Sequence, residues 1–358
     1  MSDIHLIYQC AQALGFDLIG ISGVKSSDHD RDAFLQWLQA NKHGTMAYLA
    51  RDPERRTRPE VLVPEAKSII WVALNYHTPQ SSTATPKIGS YALAKPDYHL
   101  VFEQKLAQLC TELTKHFTAH DQRFYVDYGP LMERSFAAQS QMGFIGKNTM
   151  LITREYGSWI LLGEIITTLA LPATEKRAQG QCGTCQKCIA ICPTKALSKA
   201  YDIDSRLCIS YLTIENKGAI PVELRPLIGT WLFGCDLCQE VCPHNSRAKA
   251  YTKQAWQDIA IEADLQNPDY LNSVSFLHKI ITIPDQASFK QFFRNTPFLR
   301  AKRIGLIRNA CVVIGNLKDQ RFIAELELLL HDPSEIIQEH ARWALDQLHY
   351  GNSPKVSH

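Results

Sequence analysis

The spacing of apolar positions changes along this chain, and the changes mark its parts. From Asp3 to Gly15 apolar residues recur every three or four positions and stop at a glycine, which predicts a helix; Asp17-Leu-Ile-Gly-Ile-Ser22 then reads as a short strand. Residues 30–40, with Phe34, Trp37 and Leu38 on one side, predict a second amphipathic helix. Ser68-Ile-Ile-Trp-Val-Ala-Leu-Asn-Tyr76 is a nearly unbroken apolar run with β-branched residues, the pattern of a strand covered on both faces. The Pro/Ser/Thr stretch from Thr78 to Lys87 predicts a surface loop. A helix to about Thr118, a strand Arg123–Asp127, a turn at Tyr128-Gly-Pro130 and a helix Leu131–Gln141 follow. Gly143–Thr149 predicts a glycine-bearing turn, and Met150–Thr153 is expected to pair with Ser158–Thr168 as a hairpin through Arg154–Gly157. Past residue 248 the strand pattern disappears and helical spacing takes over, most clearly in Arg308–Asn316, Phe322–Pro333 and Glu335–Leu345.

These patterns predict an α+β chain in three parts: a mixed sheet and helix domain over 1–170, a ferredoxin-like region over 171–248, and an all-helical domain over 249–358. The last part, with its Asp332-Pro333 corner, resembles a HEAT-type helical repeat, a scaffold that presents a concave binding surface. A chain of 358 residues, 45% of them apolar, is long enough to bury two or three cores. Its net charge of +2 means that any nucleic-acid surface must be a local patch. No window approaches an unbroken apolar membrane span, and residues 1–20 carry no basic segment followed by a long apolar core. The expectation is a soluble, cytoplasmic, monomeric protein.

The chemistry concentrates in the cysteines. Cys182-Gly-Thr-Cys185-Gln-Lys-Cys188-Ile-Ala-Ile-Cys192-Pro193 is the bacterial ferredoxin run, in which the fourth cysteine ligates the other cluster of a pair. By that crossing rule Cys182, Cys185, Cys188 and Cys242 hold one [4Fe-4S] cluster, and Cys192, Cys235 and Cys238 belong to the second. A regular ferredoxin would place the remaining ligand where Val241 stands, and Cys208 is the substitute. Structural zinc is the rival reading, although zinc usually takes its cysteines in pairs. Disulfides fit a dense thiol set without a secretory leader poorly. Cys10, Cys110 and Cys311 are expected to be buried thiols.

Taken together, Arg58-Pro-Glu-Val-Leu-Val-Pro-Glu-Ala-Lys-Ser-Ile-Ile70, Asp97-Tyr-His99, Val126-Asp127-Tyr-Gly-Pro130, Gly143-Phe-Ile-Gly-Lys-Asn-Thr149, the cysteine runs and Cys208-Ile-Ser-Tyr-Leu-Thr-Ile-Glu215 resemble the epoxyqueuosine reductases over nearly the whole chain. These are cobalamin-dependent iron-sulfur enzymes that complete queuosine in tRNA. The resemblance implies a corrinoid between the N-terminal and cluster domains, fed by both clusters from an unidentified low-potential donor. It implies a cob(I)alamin nucleophile that opens the epoxide, with Asp127 as proton donor, desolvated by corrin and substrate. Aspartate also suits the strand end before a Gly-Pro turn as a plain turn or cap residue. Corrin contacts are expected from Arg58, Tyr98, Gly146, Lys147, Asn148, Leu151, Leu162 and Ser210, although each of these also has an ordinary structural reading. No Asp-x-His-x-x-Gly signature of a histidine-ligated cobalt occurs.

For the tRNA, the window Arg294–Arg308 carries Arg294, Arg300, Lys302, Arg303 and Arg308 with no acid among them, so it is the expected phosphate-binding patch; Arg342 and Trp343 could extend it. Two other functions are compatible with parts of the chain: a reductive dehalogenase-like corrinoid reductase acting on a small molecule, and an electron-transfer module on a protein-binding scaffold. Neither has a use for the basic window, Asp127 and the N-terminal domain at once.

Overall fold

The computed structural model describes residues 3–78, 85–175, 180–252, 256 and 259–350. The expected loop over 78–87 lies largely outside them. Four strands build the central sheet: β1 (Leu18–Gly23), β2 (Ser68–Asn75), β4 (Gln122–Tyr125) and β7 (Ile160–Thr167), in the order β1-β2-β7-β4 with antiparallel neighbours. The short strands β3 (Lys87–Ile88) and β8 (Trp231–Phe233) pair in parallel, and β5 (Phe144–Ile145) pairs with β6 (Leu151–Ile152).

Every residue of β2 is buried because helices cover both faces of the sheet. Ile70, Val72, Leu74 and Ile165 face the helices Asp3–Ala13 and Tyr98–His116, where they meet Ile7, Phe102 and Leu106. Alternate residues, Ile69, Trp71, Ala73, Leu162 and Ile166, face the helix Glu133–Gln139 and pack on Phe136 and Ala137. The two-residue side-chain period of a strand thus sorts one apolar run into two cores. A glycine at 163 lets the long helix come close, since a Cβ there would stand 2.6 Å from the Phe102 ring.

The expected hairpin is corrected by the pairing. Leu151 and Ile152 hydrogen-bond to Ile145 and Phe144, while β7 lies between β2 and β4; only a single bridge, Thr153 to Gly157, joins the two segments. Apolar runs on either side of a short loop look alike whether they pair with each other or elsewhere. Leu162 therefore stands opposite Ala73, and shares only a core with Leu151.

The C-terminal half is organised on the helix Lys302–Leu317, buried from Gly305 to Gly315. The helices Val274–Ile281, Gln286–Phe292, Ile323–Leu329 and Glu335–Tyr350 surround it. The same core takes in Ile209, Leu212, Ile220, Ile228, Trp231 and Phe233, so the chain between Cys208 and Cys235 packs with the C-terminal helices. Conversely, Trp256 packs in the core of the sheet domain and donates from its indole to the Asn75 carbonyl. No helix among the described residues is long and apolar enough to cross a membrane.

His340 joins the last helix to the excursion between the cysteines. It is fully buried, accepts the Ile220 N–H at Nε2 and donates from Nδ1 to the Ile336 carbonyl, so the ring is neutral. Burial and then the Arg225 charge depress its pKa from 6.5 to about 4. Between those values the unfolded chain binds more protons, so stability is complete above pH 6.5 and falls as pH drops towards 4. Thermal denaturation across this window should reveal a loss on the order of 3 kcal/mol that a His340→Gln protein, lacking the titration, does not show.

A candidate active site between the sheet and the cluster region

The thiols lie close enough to influence one another. Burial first, and then like charge, raises the pKa of Cys188 and Cys242: Cys182 and Cys242 act on Cys188, and Cys182 and Cys185 act on Cys242. Cys192 acts on Cys208, and Cys208 and Cys238 act on Cys235. Cys238 is influenced by Cys208 and Cys192, and also by Cys188, so the two sets are adjacent. All eight thiols are free cysteines, as are buried Cys311 and half-buried Cys10 and Cys110.

The Gly146–Asn148 turn, closed by hydrogen bonds from the Gly146 and Thr149 N–H groups, lies against these thiols. Lys147 donates its main-chain N–H to Cys182 Sγ at 3.4 Å and its ammonium to the carbonyls of Gly183 and Cys185 at 2.7 and 2.9 Å. Asn148, nearly fully buried, donates to the Cys238 carbonyl at 3.4 Å. One turn thus touches the loops of both thiol sets. The Lys147 ammonium is engaged with the first cysteine loop. Leu151 and Leu162 lie in the sheet core, Arg58 is exposed and paired with Glu54 at 2.5 Å, and Ser210 is half-buried beside Cys208.

A cleft of about 610 Å³ opens between the helix Asp28–Gln39, the 127–135 segment and the loop Tyr201–Ile203. The Trp37 indole N–H donates to the Ile203 carbonyl at 2.6 Å and Lys42 pairs with Asp202 at 2.5 Å, which fixes the cluster region to the sheet domain along one wall. Trp37 therefore serves the wall of the cleft, and its helix has no fully buried residue.

Asp127 stands at this cleft. Its φ of 52° is the left-handed conformation, which aspartate tolerates better than most side chains. Its carboxyl group is 63% exposed, accepts the Tyr98 hydroxyl at 2.6 Å, and lies 3.7 Å from His99 Nε2. His99 in turn bonds Asp97 through Nδ1 at 2.7 Å. Burial alone would lower the His99 pKa, but the Asp97 hydrogen bond and charge, with Asp127 behind, raise it. Burial, followed by the Asp127 charge, pushes Tyr98 well above its ordinary value, so it remains a donor.

Residues that sequence reasoning did not single out complete the site. Tyr48, 45% exposed, lies beneath two guanidinium groups, Arg56 at 5.9 Å and Arg300 at 6.0 Å from its ring centre. Glu133 and Arg134 line the cleft wall, reaching water through its mouth while protein surrounds them closely. The only signal for Arg56 and Tyr48 was the basic run His43–Arg58, which reads equally well as a solvated face.

The basic window is corrected in part. Arg308 is 1% exposed and spends its donors on the carbonyls of Leu212, Asn216 and Gly218 and on Asn309. Arg303 is buried against Asp332 at 2.6 Å and the Ile283 carbonyl. Neither can reach a phosphate, because both bind carbonyls that the helix packing would otherwise leave unsatisfied. Arg294, Arg300 and Lys302 are exposed, with Arg300 forked onto Glu215 at 2.6 and 3.0 Å. Trp343 is buried under Arg225.

The role of Lys147 is open to a direct check. A Lys147→Met protein should lose iron and sulfide from its first thiol set faster than wild type under chelator challenge after anaerobic reconstitution, with the second set retained.

Comparison with known proteins fits this geometry. Residues 181–245 match the 4Fe-4S double cluster binding domain, and residues 56–128 match the family model for epoxyqueuosine reductase QueG. The epoxyqueuosine reductase of Pseudomonas aeruginosa is 37% identical over 341 residues, covering 93% of this chain and 91% of that protein. Among solved structures, an epoxyqueuosine reductase with a tRNA-Tyr epoxyqueuosine-modified stem loop superposes with a TM-score of 0.83 at 30% identity, covering 96% of this chain and 90% of that one. The Bacillus subtilis epoxyqueuosine reductase, in a form with its catalytic aspartate loop swung out of the active site, gives 0.81 at 29% identity over the same shares. With that identity sustained from end to end, and two thiol sets interleaved beside an aspartate-bearing cleft, the chain belongs to the epoxyqueuosine reductase family.

Proposed function

We propose that this protein is an oxidoreductase that converts epoxyqueuosine to queuosine in tRNA, the last step of queuosine biosynthesis, with a corrinoid, cobalamin, in the cleft beside Asp127. The observation that carries the reading is the position of Asp127, at the cleft between the sheet domain and a double-cluster region, in a chain of this family. A corrinoid there would supply the nucleophilic low-potential electrons that no side chain has, refilled one at a time through the clusters. The residues present suit such a group. The cleft lining mixes apolar side chains, among them Phe34, Trp37, Leu49 and Leu131, with charged and polar ones. Tyr98, Arg58, the main chain of Gly146, Lys147 and Asn148, and Ser210 would contact it beyond the cleft lining, with Leu151 and Leu162 in the core behind them.

Asp127 gives a proton to the epoxide oxygen. Tyr98 and His99 aim the carboxyl group. At 63% exposure the protein alone does not desolvate it, so the bound groups must close over it. Its place on a loop agrees with the catalytic aspartate loop that stands swung out in the Bacillus subtilis relative. The tRNA lies along Arg294, Arg300 and Lys302, with the exposed Tyr48 ring beside Arg300 available to stack on an unpaired base. The work divides among a corrinoid domain over 1–170, a cluster domain over 171–248 and a HEAT-like tRNA-binding domain over 249–358, in a cytoplasmic monomer.

Nucleoside mass spectrometry decides the reaction: with reconstituted clusters, a strong reductant and cobalamin, epoxyqueuosine in tRNA should lose one oxygen mass, and omission of cobalamin should abolish the loss. No conversion by a fully loaded protein would refute the reading. Asp127→Asn should slow conversion by about 10²-fold or more with cluster content unchanged. Alanine at Arg294, Arg300 and Lys302 together should weaken tRNA binding and flatten its salt dependence by roughly 0.7 in slope for each phosphate no longer neutralised. Unchanged binding would remove the patch.

A further inference from the structure

Behind Asp127 lies a pair of carboxyl groups that the scheme above does not use. Glu164 sits in the middle of β7, opposite Trp71 on one side and Tyr125 on the other, and is fully buried. Leu162 and Ile166 flank it on the same face, a position where the sheet core has use only for apolar side chains. Neither of its carboxyl oxygens has a hydrogen-bond partner. Glu133, at the start of the facing helix, also has a buried and unpartnered oxygen.

Both groups reach the loop that carries Asp127. A Cβ built on Gly129 would stand 2.7 Å from Glu164 Oε1, so that carboxyl group presses on the loop from below, and only glycine fits over it. The Asp127 main-chain N–H donates to Glu133. An ionised carboxylate without partners in an apolar sheet face would cost several kcal/mol. Glu164 escapes that cost by staying protonated.

The reaction has a use for such a proton. Turning an epoxide into an alkene breaks both C–O bonds, forms the C=C bond, and releases the oxygen as water. The balance is two electrons and two protons, the electrons coming singly from a low-potential donor protein through the clusters. Asp127 holds one proton. We propose that Glu133 and Glu164 jointly hold the second and return it to Asp127 after its first transfer, so that they act through Asp127 and never on the substrate.

The charges around the pair agree. Burial, then the Asp127 charge, raises Glu133 well above the carboxylate range; burial, then Glu133 and Asp127, does the same for Glu164. Two such groups titrate as a pair. From the helix Arg134 faces them, from the 54–58 segment Arg56, and from β4 and its loop Tyr125 and Tyr128; the cations oppose the rise at Glu133 without cancelling it. Because the pKa values are raised, the pair is loaded at neutral pH and empties as pH climbs through its upper pKa, so the supply fails on the alkaline side.

This inference rests on the proposed reaction, and the test separates the two. Infrared spectra of the full-length holoenzyme without tRNA, titrated with base, read the carbonyl stretch of protonated carboxyl groups. Wild type should keep such a band above neutral pH, E164Q should lose it, and E133Q should retain it, because burial alone keeps Glu164 protonated. Single-turnover conversion of epoxyqueuosine tRNA, followed against pH, should run about tenfold or more slower in either variant above neutral pH. It should recover towards wild type as pH falls and bulk protons refill Asp127. Glutamine at 133 can still accept the Asp127 N–H, so that variant keeps the loop in place if E164Q disturbs the sheet. Absence of the band from wild type, or a wild-type pH profile in both variants, would overturn the proposal. A wild type that converts nothing would defeat the reaction while the infrared band still decides whether the pair holds a proton.

Discussion

Two thiol sets interleaved along the sequence are the constraint on which the rest of the molecule depends. Cys242 lies near Cys182 and Cys185, and Cys192 lies near Cys208 and Cys238. The chain between Cys208 and Cys235 has to leave and come back, and it spends that excursion in the C-terminal core, where Ile220 meets His340 and Leu232 meets Asn309. Its last strand, β8, pairs with β3 of the N-terminal half. Closing both sets therefore brings the sheet and the helices onto one centre. The contacts that finish the job are polar and buried: Tyr76 and Ser158 bond Gln239, and Asn245 bonds Ser158. Networks of this kind fix a unique arrangement, because a small shift leaves several groups unsatisfied at once.

Much of this was legible because the signals were local. Three cysteines at two-residue gaps and a Cys-Pro announce a double-cluster region by spacing alone, and the run Ser68–Tyr76 announces a doubly covered strand. The pairing of β6 was not legible: Leu151 and Ile152 look equally good opposite Ile145 or β7, and only the three-dimensional position of β2 claims β7 first. Nor was the domain edge near Cys208, since an apolar segment such as Ile209–Thr213 does not declare which core it will join. Charge was the least legible property. Arg303 and Arg308 read as surface because arginine usually is, yet each satisfies buried carbonyls, while Arg294, three residues before Pro297, stays in water.

The same ambiguity hid the carboxyl groups. In sequence, Glu164 is one acid in an apolar strand and Glu133 one acid at a helix start, a place where acids are ordinary. What distinguishes them is a relation: a strand and a helix separated by about thirty positions converge behind a loop carrying a third carboxyl group. Asp127 itself was found through its motif, but its left-handed backbone and its ring of Tyr98 and His99 became visible only in space.

In the proposed reaction that arrangement would resolve a conflict between two demands on Asp127. A proton donor at neutral pH needs a site poor in water, whereas a loop that admits a bulky cofactor and a tRNA nucleotide needs an open one. The structure separates the demands. Openness belongs to the Asp127 side chain, tethered by Tyr98 and His99 at the cleft, and dryness belongs to Glu164, sealed in the sheet beneath Gly129. Gly129 is the contact between the two environments, because any side chain there would collide with Tyr125 or with the Glu164 carboxyl group. On the proposed scheme the acid that meets the substrate need not be the acid that stores the proton, because Gly129 lets the open loop lie directly on the dry sheet.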